Sequence, residues 1–186
     1  IVMRLVGSEM CIRDSVKALG KTAIEYDYNF QILNSVLAVN DRQRVVLFDK
    51  INAHFNEDLK GKTIALWGLT FKPNTDDIRE APALYIIDLL LKAGADVHAY
   101  DPEGMENVRQ IYGGKITFAH HQYDVLENAD ALLIITEWSA FRSPDFEKMG
   151  EMMRSKTIFD GRNLYSLEGM AETGFHYNSI GREAVN

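Results

Sequence analysis

T-I-A-L-W-G-L-T-F-K-P-N-T-D-D-I-R-E-A-P, residues 63–82, decides the fold. Its first five residues, Thr63–Trp67, have strand character, and Gly68 breaks them. A polar, charged loop follows, and the apolar run from Pro82 reads as a helix. A strand that ends in a glycine turn and feeds a helix is the unit from which open α/β sheets build ligand sites, because ligands lie outside the carboxyl ends of the strands. Downstream of Gly61 the chain repeats this unit. Upstream it reads as a helical device for delivering it.

Outward from that stretch the alternation continues. Pro82–Lys92 is expected to be a helix, with Pro82 in its first turn and Gly94 at its C′ position. Asp96–Tyr100 reads as a strand ending at Asp101-Pro102, then 104–112 as a helix closed by Gly113-Gly114. A short strand over 116–118 and a short helix over 123–128 lead to A-L-L-I-I-T (131–136), a nearly all-apolar strand suited to the sheet centre. A helix over 144–153, the strand Thr157–Asp160, a helix over 166–173 and a strand over 175–177 complete the series. Strands alternating with helices of about ten residues predict an α/β fold, a Rossmann-like parallel sheet with helices on both faces.

The first sixty residues differ. Residues 1–15 have no clean period, are unlike the rest, and resemble a mistranslated sequencing linker; they are set apart as an atypical leader, possibly not native. From Val16 the spacing turns helical, with Val16, Leu19, Ala23 and Tyr26 on one face. Asp27-Tyr28-Asn29 reads as a break, with Asp27 or Asn29 able to cap the next helix. That second helix, over 30–55, carries Leu33, Val36 or Leu37, Val45, Phe48 and Ile51, and at roughly 25 residues extends roughly 38 Å. A stripe that long is expected to pack on another domain or another subunit; a packing helix of one domain is the alternative. N-E-D-L-K-G (56–61) marks the boundary. Three segments result: the leader 1–15, a central helical dimerisation segment 16–60, and a sheet domain 61–186.

Composition narrows the partners. Hydrophobic residues make up 46% and charged residues 25% of the 186, with a net charge of -7. That balance argues against nucleic acid, whose binders carry a basic face. A single cysteine, Cys11, excludes an internal disulfide framework and suits a reducing compartment. No apolar run nears the ~20 residues of a membrane span, and the start lacks a signal-peptide core, so the reading is cytoplasmic with no membrane partner.

What the sequence lacks narrows the chemistry further. After Trp67 the chain reads G-L-T-F-K-P, without the G-x-G-x-x-G that lets backbone approach a dinucleotide pyrophosphate. Asp101 lies where such sheets place a ribose-binding acid, and it reads equally as the start of an Asp-Pro turn. His54, His98, His120, His121 and His176 show no metal spacing, and no zinc site is expected. No G-x-S-x-G supports a hydrolase. What the sequence holds is basic. Lys72 follows the first strand, Arg79 closes the same loop, and Arg162 follows Thr157–Asp160. These loops leave one sheet edge, so Lys72 and Arg162 can converge on an anion, one as a point charge and the other as a bidentate fork. The helix start at Pro82 adds partial positive charge. Salt bridges of Arg79 and Arg162 with Asp76, Asp77, Glu80 or Asp160 explain these residues equally well.

Four longer strings carry a resemblance: G-L-T-F-K-P-N-T-D-D-I-R-E-A-P (68–82), A-Y-D-P-E-G-M (99–105), A-D-A-L-L-I-I-T-E-W-S-A-F-R (129–142) and F-D-G-R-N-L-Y (159–165). In this order they resemble the UDP-glucose/GDP-mannose dehydrogenase family, and T-E-W-x-x-F-R leans to its UDP-glucose branch. The likeness covers roughly 16–182, with 16–55 similar to the family's central, dimer-forming helices and 61 onward to its C-terminal UDP-binding domain. It implies that Phe71 and Lys72 contact a nucleotide sugar, that Arg162 belongs to the substrate site, and that Arg79 reaches NAD on another domain. The implied reaction oxidises the sugar C6 alcohol twice, to a carboxylate, with two NAD+. A cysteine thiolate captures the intermediate aldehyde, hydride leaves the adduct, and water hydrolyses the thioester. The distance from Cys11 to V-K-A-L matches the family's C-F-P-K-D-V-K-A-L, yet Ile12-Arg13-Asp14-Ser15 replace the intervening residues. Cys11 is therefore either the nucleophile position or an accident of the leader. The family's NAD-binding domain is not among these residues, so the chain reads as a C-terminal fragment that binds UDP-glucose or a related sugar, dimerises through 30–55 and turns over nothing alone. The alternatives are a non-catalytic nucleotide-sugar-binding and dimerisation module, or a dehydrogenase for GDP-mannose or UDP-N-acetyl-mannosamine.

Overall fold

The computed structural model describes the backbone of residues 8–186 and the side chains of 15–186 apart from Lys17. The Cys11 side chain, and all of the 1–15 leader but its end, lie outside the described side chains. The chain divides into two compact units, 1–44 and 45–186, and the division falls inside a helix.

In the first unit, helix α1 (Ser8–Glu25) begins ahead of Val16, because no proline or glycine interrupts the residues before it. A left-handed Asp27 (φ 53°) turns the chain, and α2 (Gln31–His54) follows. Ala23 and Leu33 are buried here, whereas Leu19, Ile24, Ile32, Val36 and Val39 are exposed. The last three sit at i, i+4 and i+7, one helix face.

The second unit opens with the last turns of α2. The long stripe predicted for that helix is split: Leu47 and Ile51 are 4% and 0% exposed and belong to the core of the sheet unit. The next elements are β1 (Thr63–Trp67), α3 (Pro82–Lys92), β2 (Asp96–Tyr100), α4 (Met105–Tyr112), β3 (Thr117–Phe118), β4 (Ala131–Ile134), α5 (Phe146–Met152), β5 (Thr157–Asp160), α6 (Leu167–Ala171) and β6 (His176–Ser179). All six strands are parallel, in the order β3-β2-β1-β4-β5-β6. This is the doubly wound order, with its switch point between β1 and β4.

The apolar strands make sense once both sheet faces are covered. Successive side chains point to opposite faces, so Ile64, Leu66, Ala131 and Leu133 join one core with α3 and the end of α2. Ala65, Trp67, Leu132 and Ile134 join a second core with Phe141, Met149, Met170 and Tyr177. Trp67 is fully buried, stacks on Phe141 at 4.9 Å and donates its indole N–H to the Gln122 carbonyl at 2.7 Å. Truncating so large a buried ring to alanine costs about 3–5 kcal/mol.

Helix ends are set by the residues that cap them. Pro82 stands in the first turn of α3, and left-handed Gly94 (φ 82°) closes it with Gly94 N–H to Leu91 O and Ala95 N–H to Leu90 O, a Schellman pair. Helix α5 starts later than Pro144 because the Asp145 side chain caps it, accepting from the Lys148 N–H at 3.0 Å. Residues 123–128 form only a 3₁₀ turn, Asp124–Leu126. Among the described residues no helix is long and apolar enough to cross a membrane.

At the amino end of β6, the His54 ring lies 4.7 Å from that of His176 and edge-on to Phe159 at 5.5 Å. Burial first, and the neighbouring His176 second, hold His54 below its ordinary pKa of 6.5. The unfolded chain therefore takes up the His54 proton first as pH falls through about 6.5, and folding stability declines there. Urea midpoints compared at about pH 7.5 and about pH 5.5 should fall for the parent chain, and fall less for His54→Gln. Equal pH dependence in the two chains would rule out this origin.

Candidate functional site

Four loops leave the carboxyl edge of the sheet, after β1, β2, β4 and β5. The β1 loop comes first. Gly68 adopts φ 94°, and a Cβ there would sit 2.5 Å from Thr136 Cβ and 2.6 Å from Thr136 N. Only glycine lets the β1 and β4 loops touch in this way. Thr136 then donates its hydroxyl to the Thr70 carbonyl at 2.6 Å. The strand predicted over 131–136 thus ends at Ile134, and Thr136 ties two loops instead.

Asp101 proves to be a structural anchor. It is fully buried. Its Oδ2 accepts from Leu69 N (2.6 Å), Thr70 N (3.2 Å) and Trp138 Nε1 (3.0 Å). Its Oδ1 accepts from Glu103 N (3.0 Å) and Gly104 N (2.7 Å), which is the turn its Asp-Pro context suggests. The Thr70 hydroxyl lies 3.2 Å from both this carboxylate and the Lys72 carbonyl, its one proton serving either. Of the two readings open for Asp101, the turn is the one observed.

Asp160 plays the same part after β5. Fully buried, it accepts from Arg162 N, Leu164 N and the Tyr177 hydroxyl, all at 2.7 Å. Burial, together with the Asp160 charge beside it, pushes the Tyr177 phenol well above its usual range, so it stays a neutral donor. Arg182 caps this cluster, donating to Tyr177 Oη (3.0 Å), the Tyr165 carbonyl (3.1 Å) and Ser179 Oγ (2.8 Å). β6 accordingly runs past Tyr177 to Ser179.

These anchors bring two of the sequence-selected residues together, Arg162 and Phe71. The Arg162 Nε donates to the Ile135 carbonyl at 2.8 Å, and its Nη2 approaches the Phe71 carbonyl at 3.4 Å. Glu137 Oε2 lies 2.9 Å from the same Nε. Because the single Nε–H is taken by Ile135, this pair is Coulombic, and Glu137 Oε2 is buried without a hydrogen bond. Each side chain is about one-third exposed, and such a pair contributes at most about 1 kcal/mol. Its effect is geometric: Arg162 is held through Nε by the Ile135 carbonyl, with Nη2 turned to the Phe71 carbonyl. Lys72 follows Phe71, both half-buried. Among the described residues no hydrogen bond or ion pair engages the Lys72 ammonium.

Arg79 stands apart. Its guanidinium grips Asp77 through Nε (2.9 Å) and Nη2 (2.8 Å), and its side chain is 74% exposed. Hydrogen bonds from Arg79, with a smaller contribution from the Lys72 charge, hold the Asp77 carboxyl below the usual carboxylate range. The salt-bridge alternative is therefore realised for Arg79 with Asp77, while Arg162 pairs with Glu137, a residue sequence reasoning did not single out. The signal was there, in a charged residue directly after the apolar run 131–136. Asp160 was also missed as an anchor; a buried carboxylate closing an apolar strand was its mark.

The edge therefore carries Arg162 beside the Phe71 carbonyl, with Lys72 next in the same loop, a chemistry suited to an anionic ligand. It does not offer a dinucleotide cradle of its own. The space left by Gly68 is filled by Thr136, and a Cβ on Gly104 would meet Thr70 Cγ2 at 2.5 Å, so neither glycine is open to a pyrophosphate.

The chain is similar to known proteins. The chain is 44% identical over 177 residues to UDP-glucose 6-dehydrogenase of Pseudomonas aeruginosa, covering 92% of this chain and 39% of that protein. It is 42% identical over 172 residues to the enzyme of the same name from Rhizobium meliloti, with 92% and 39% covered. A UDP-glucose dehydrogenase structure from Pyrobaculum islandicum superposes with a TM-score of 0.77 at 26% identity, over 90% of this chain and 36% of that one. The chain thus spans about two-fifths of the length of these relatives. Residues 65–167 match the UDP binding domain of the UDP-glucose/GDP-mannose dehydrogenase family, and the chain belongs to that family.

Proposed function

We propose that this chain is the UDP-sugar-binding and dimerising part of an NAD-dependent UDP-glucose 6-dehydrogenase, the whole of which oxidises UDP-glucose to UDP-glucuronate in the cytoplasm. The observation that supports it most is the family match over 65–167, which includes the loops where Arg162 is pinned beside the Phe71 carbonyl. In this reading Arg162 and Lys72 neutralise the diphosphate, and Phe71 lies against the nucleotide sugar. Arg162 suits two phosphate oxygens at once, whereas Lys72 supplies charge with little directional demand. NAD is held mainly by a domain outside these residues. Arg79 is the one residue here directed to it, and to reach it the guanidinium would leave Asp77, a cheap exchange for an exposed pair. Cys11 is the candidate for the nucleophile position by its spacing to V-K-A-L, an accident of the leader being the alternative, and its side chain lies outside the described residues. Residues 16–60 serve dimerisation and 61–186 bind the sugar nucleotide.

The reading predicts that calorimetry detects UDP and UDP-glucose binding to the 186-residue chain, and no comparable binding of GDP-mannose. Arg162→Lys, which removes the fork and keeps the charge, should weaken UDP about tenfold, and Lys72→Gln by a similar factor. Preference for GDP-mannose would transfer the chain to that branch, and absence of any nucleotide binding would end the proposal. Mixed with UDP-glucose and NAD+, the chain should produce no NADH.

For dimerisation the support is the exposed apolar face of Ile32, Val36 and Val39, 77%, 44% and 52% exposed. Three such residues on one helix face point to a second copy that covers them. Sedimentation should give a dimer for the parent chain and a monomer for the double variant Ile32→Glu with Val36→Glu, the helical content of the two matching by circular dichroism. A parent chain that sediments as a monomer at tens of micromolar would remove this part of the proposal.

A further inference from the structure

The β1 loop carries Phe71 and Lys72, and within it the Phe71 N–H donates to the Asp77 carbonyl at 2.9 Å. The loop is polar, it contains Pro73, and Asn74 is left-handed at φ 61°. Its start is fixed from two other strands. The Asp101 carboxylate, at the end of β2, takes the N–H groups of Leu69 and Thr70, and the Trp138 indole N–H from the β4 loop converges on the same oxygen. Thr136 closes the arrangement by holding the Thr70 carbonyl. Both groups of Thr70 that could reorient the next peptide are thereby occupied, and the next peptide carries the Phe71 carbonyl that Arg162 approaches.

We infer that Asp101 is the positioning residue of the nucleotide site: through Leu69, Thr70 and Trp138 it sets Phe71 and Lys72 against Arg162. The inference rests on the nucleotide-sugar reading above for its ligand, and on hydrogen-bond geometry alone for the loop. An asparagine at 101 keeps the shape and removes the charge. Whichever way its amide turns, its NH2 group faces at least two N–H donors that need an acceptor. Asp130 provides the matched control. It is another buried carboxylate, 4% exposed, that takes Thr63 N at 2.9 Å and Arg154 Nη1 at 2.7 Å at the opposite edge of the same sheet.

The experiment measures UDP binding by calorimetry, and amide hydrogen exchange without ligand, on the 186-residue chain and its variants. Asp101→Asn should weaken UDP about tenfold or more, the equivalent of one lost charge-assisted hydrogen bond, and should speed exchange at Leu69 and Thr70 relative to β4. Asp130→Asn should lower Tm while leaving UDP affinity and the exchange of Leu69 and Thr70 unchanged. Equal weakening of UDP by both variants, or parent-like binding by Asp101→Asn, overturns the inference. Should Asp101→Asn fail to fold, Trp138→Phe decides, because it removes one donor and leaves the carboxylate. About threefold weaker UDP with faster exchange at Leu69 and Thr70 supports the inference, and no change in either overturns it. If the parent chain does not bind UDP, the nucleotide reading fails, and the exchange rates of Leu69 and Thr70 in Asp101→Asn still decide whether Asp101 sets the loop.

Discussion

The structure depends on a buried charge. Taking the Asp101 carboxylate out of water costs several kcal/mol, and only a full shell of donors offsets it. Five N–H groups provide that shell, from the β1, β2 and β4 loops. Each bond to a charged acceptor is worth about 1.5–3 kcal/mol, so the set can outweigh the desolvation. The result is cooperative, since losing any one loop would leave the carboxylate short. By comparison the exposed Arg79–Asp77 pair, worth up to about 1 kcal/mol, organises only its own turn. Asp160 repeats the device after β5. The carboxyl edge is held by buried acids, with Arg162 and Arg182 adding bonds to backbone carbonyls around them.

Packing puts these acids where they act. The strands are apolar because both faces of the sheet are covered, and residues of β1 divide alternately between two cores. Fully buried strands cannot slip in register without exchanging the two faces. That fixes Trp67 opposite Tyr100 and Ile134, and hence the three loops leaving those strand ends. Gly68 then allows a close approach that no side chain would permit. Rigidity at the site is thus inherited from sheet register, through one glycine and one carboxylate.

Much of this was legible in the sequence, and the limits are instructive. Thr63–Trp67, Pro82–Lys92, Asp96–Tyr100 and Thr157–Asp160 fall where the apolar pattern and the punctuation by proline and glycine place them. Ends set by side-chain contacts were not legible. Thr136 leaves its strand to bind Thr70, and Asp145 rather than Pro144 starts α5. The long stripe of α2 read as one face, but Ile51 lies in the core of the sheet unit and Phe48 packs against it, while Val36 remains exposed. Periodicity reports that a face is apolar and cannot report what covers it. At the site, the basic residues were visible because charge after a strand is conspicuous. Glu137, Thr136 and Asp101 act on neighbours far away in sequence, and local spacing does not encode that.

The absence of a glycine-rich phosphate loop acquires a physical meaning from this arrangement. In a dinucleotide fold the backbone itself meets the pyrophosphate, and glycines keep the approach clear. Here Gly68 stands at the end of β1 and Gly104 in the loop after β2, but Thr136 and Thr70 occupy the space they leave. The closeness that elsewhere admits a ligand is used to lock loops together. In the proposed nucleotide-sugar reading, recognition of an anion at this edge passes to side chains, Lys72 and Arg162, whose reach exceeds that of backbone amides and whose aim must be set by other groups. For Arg162 these are the Ile135 carbonyl and Glu137. A doubly wound sheet can in this way close the cofactor cradle of its fold by locking its own loops together.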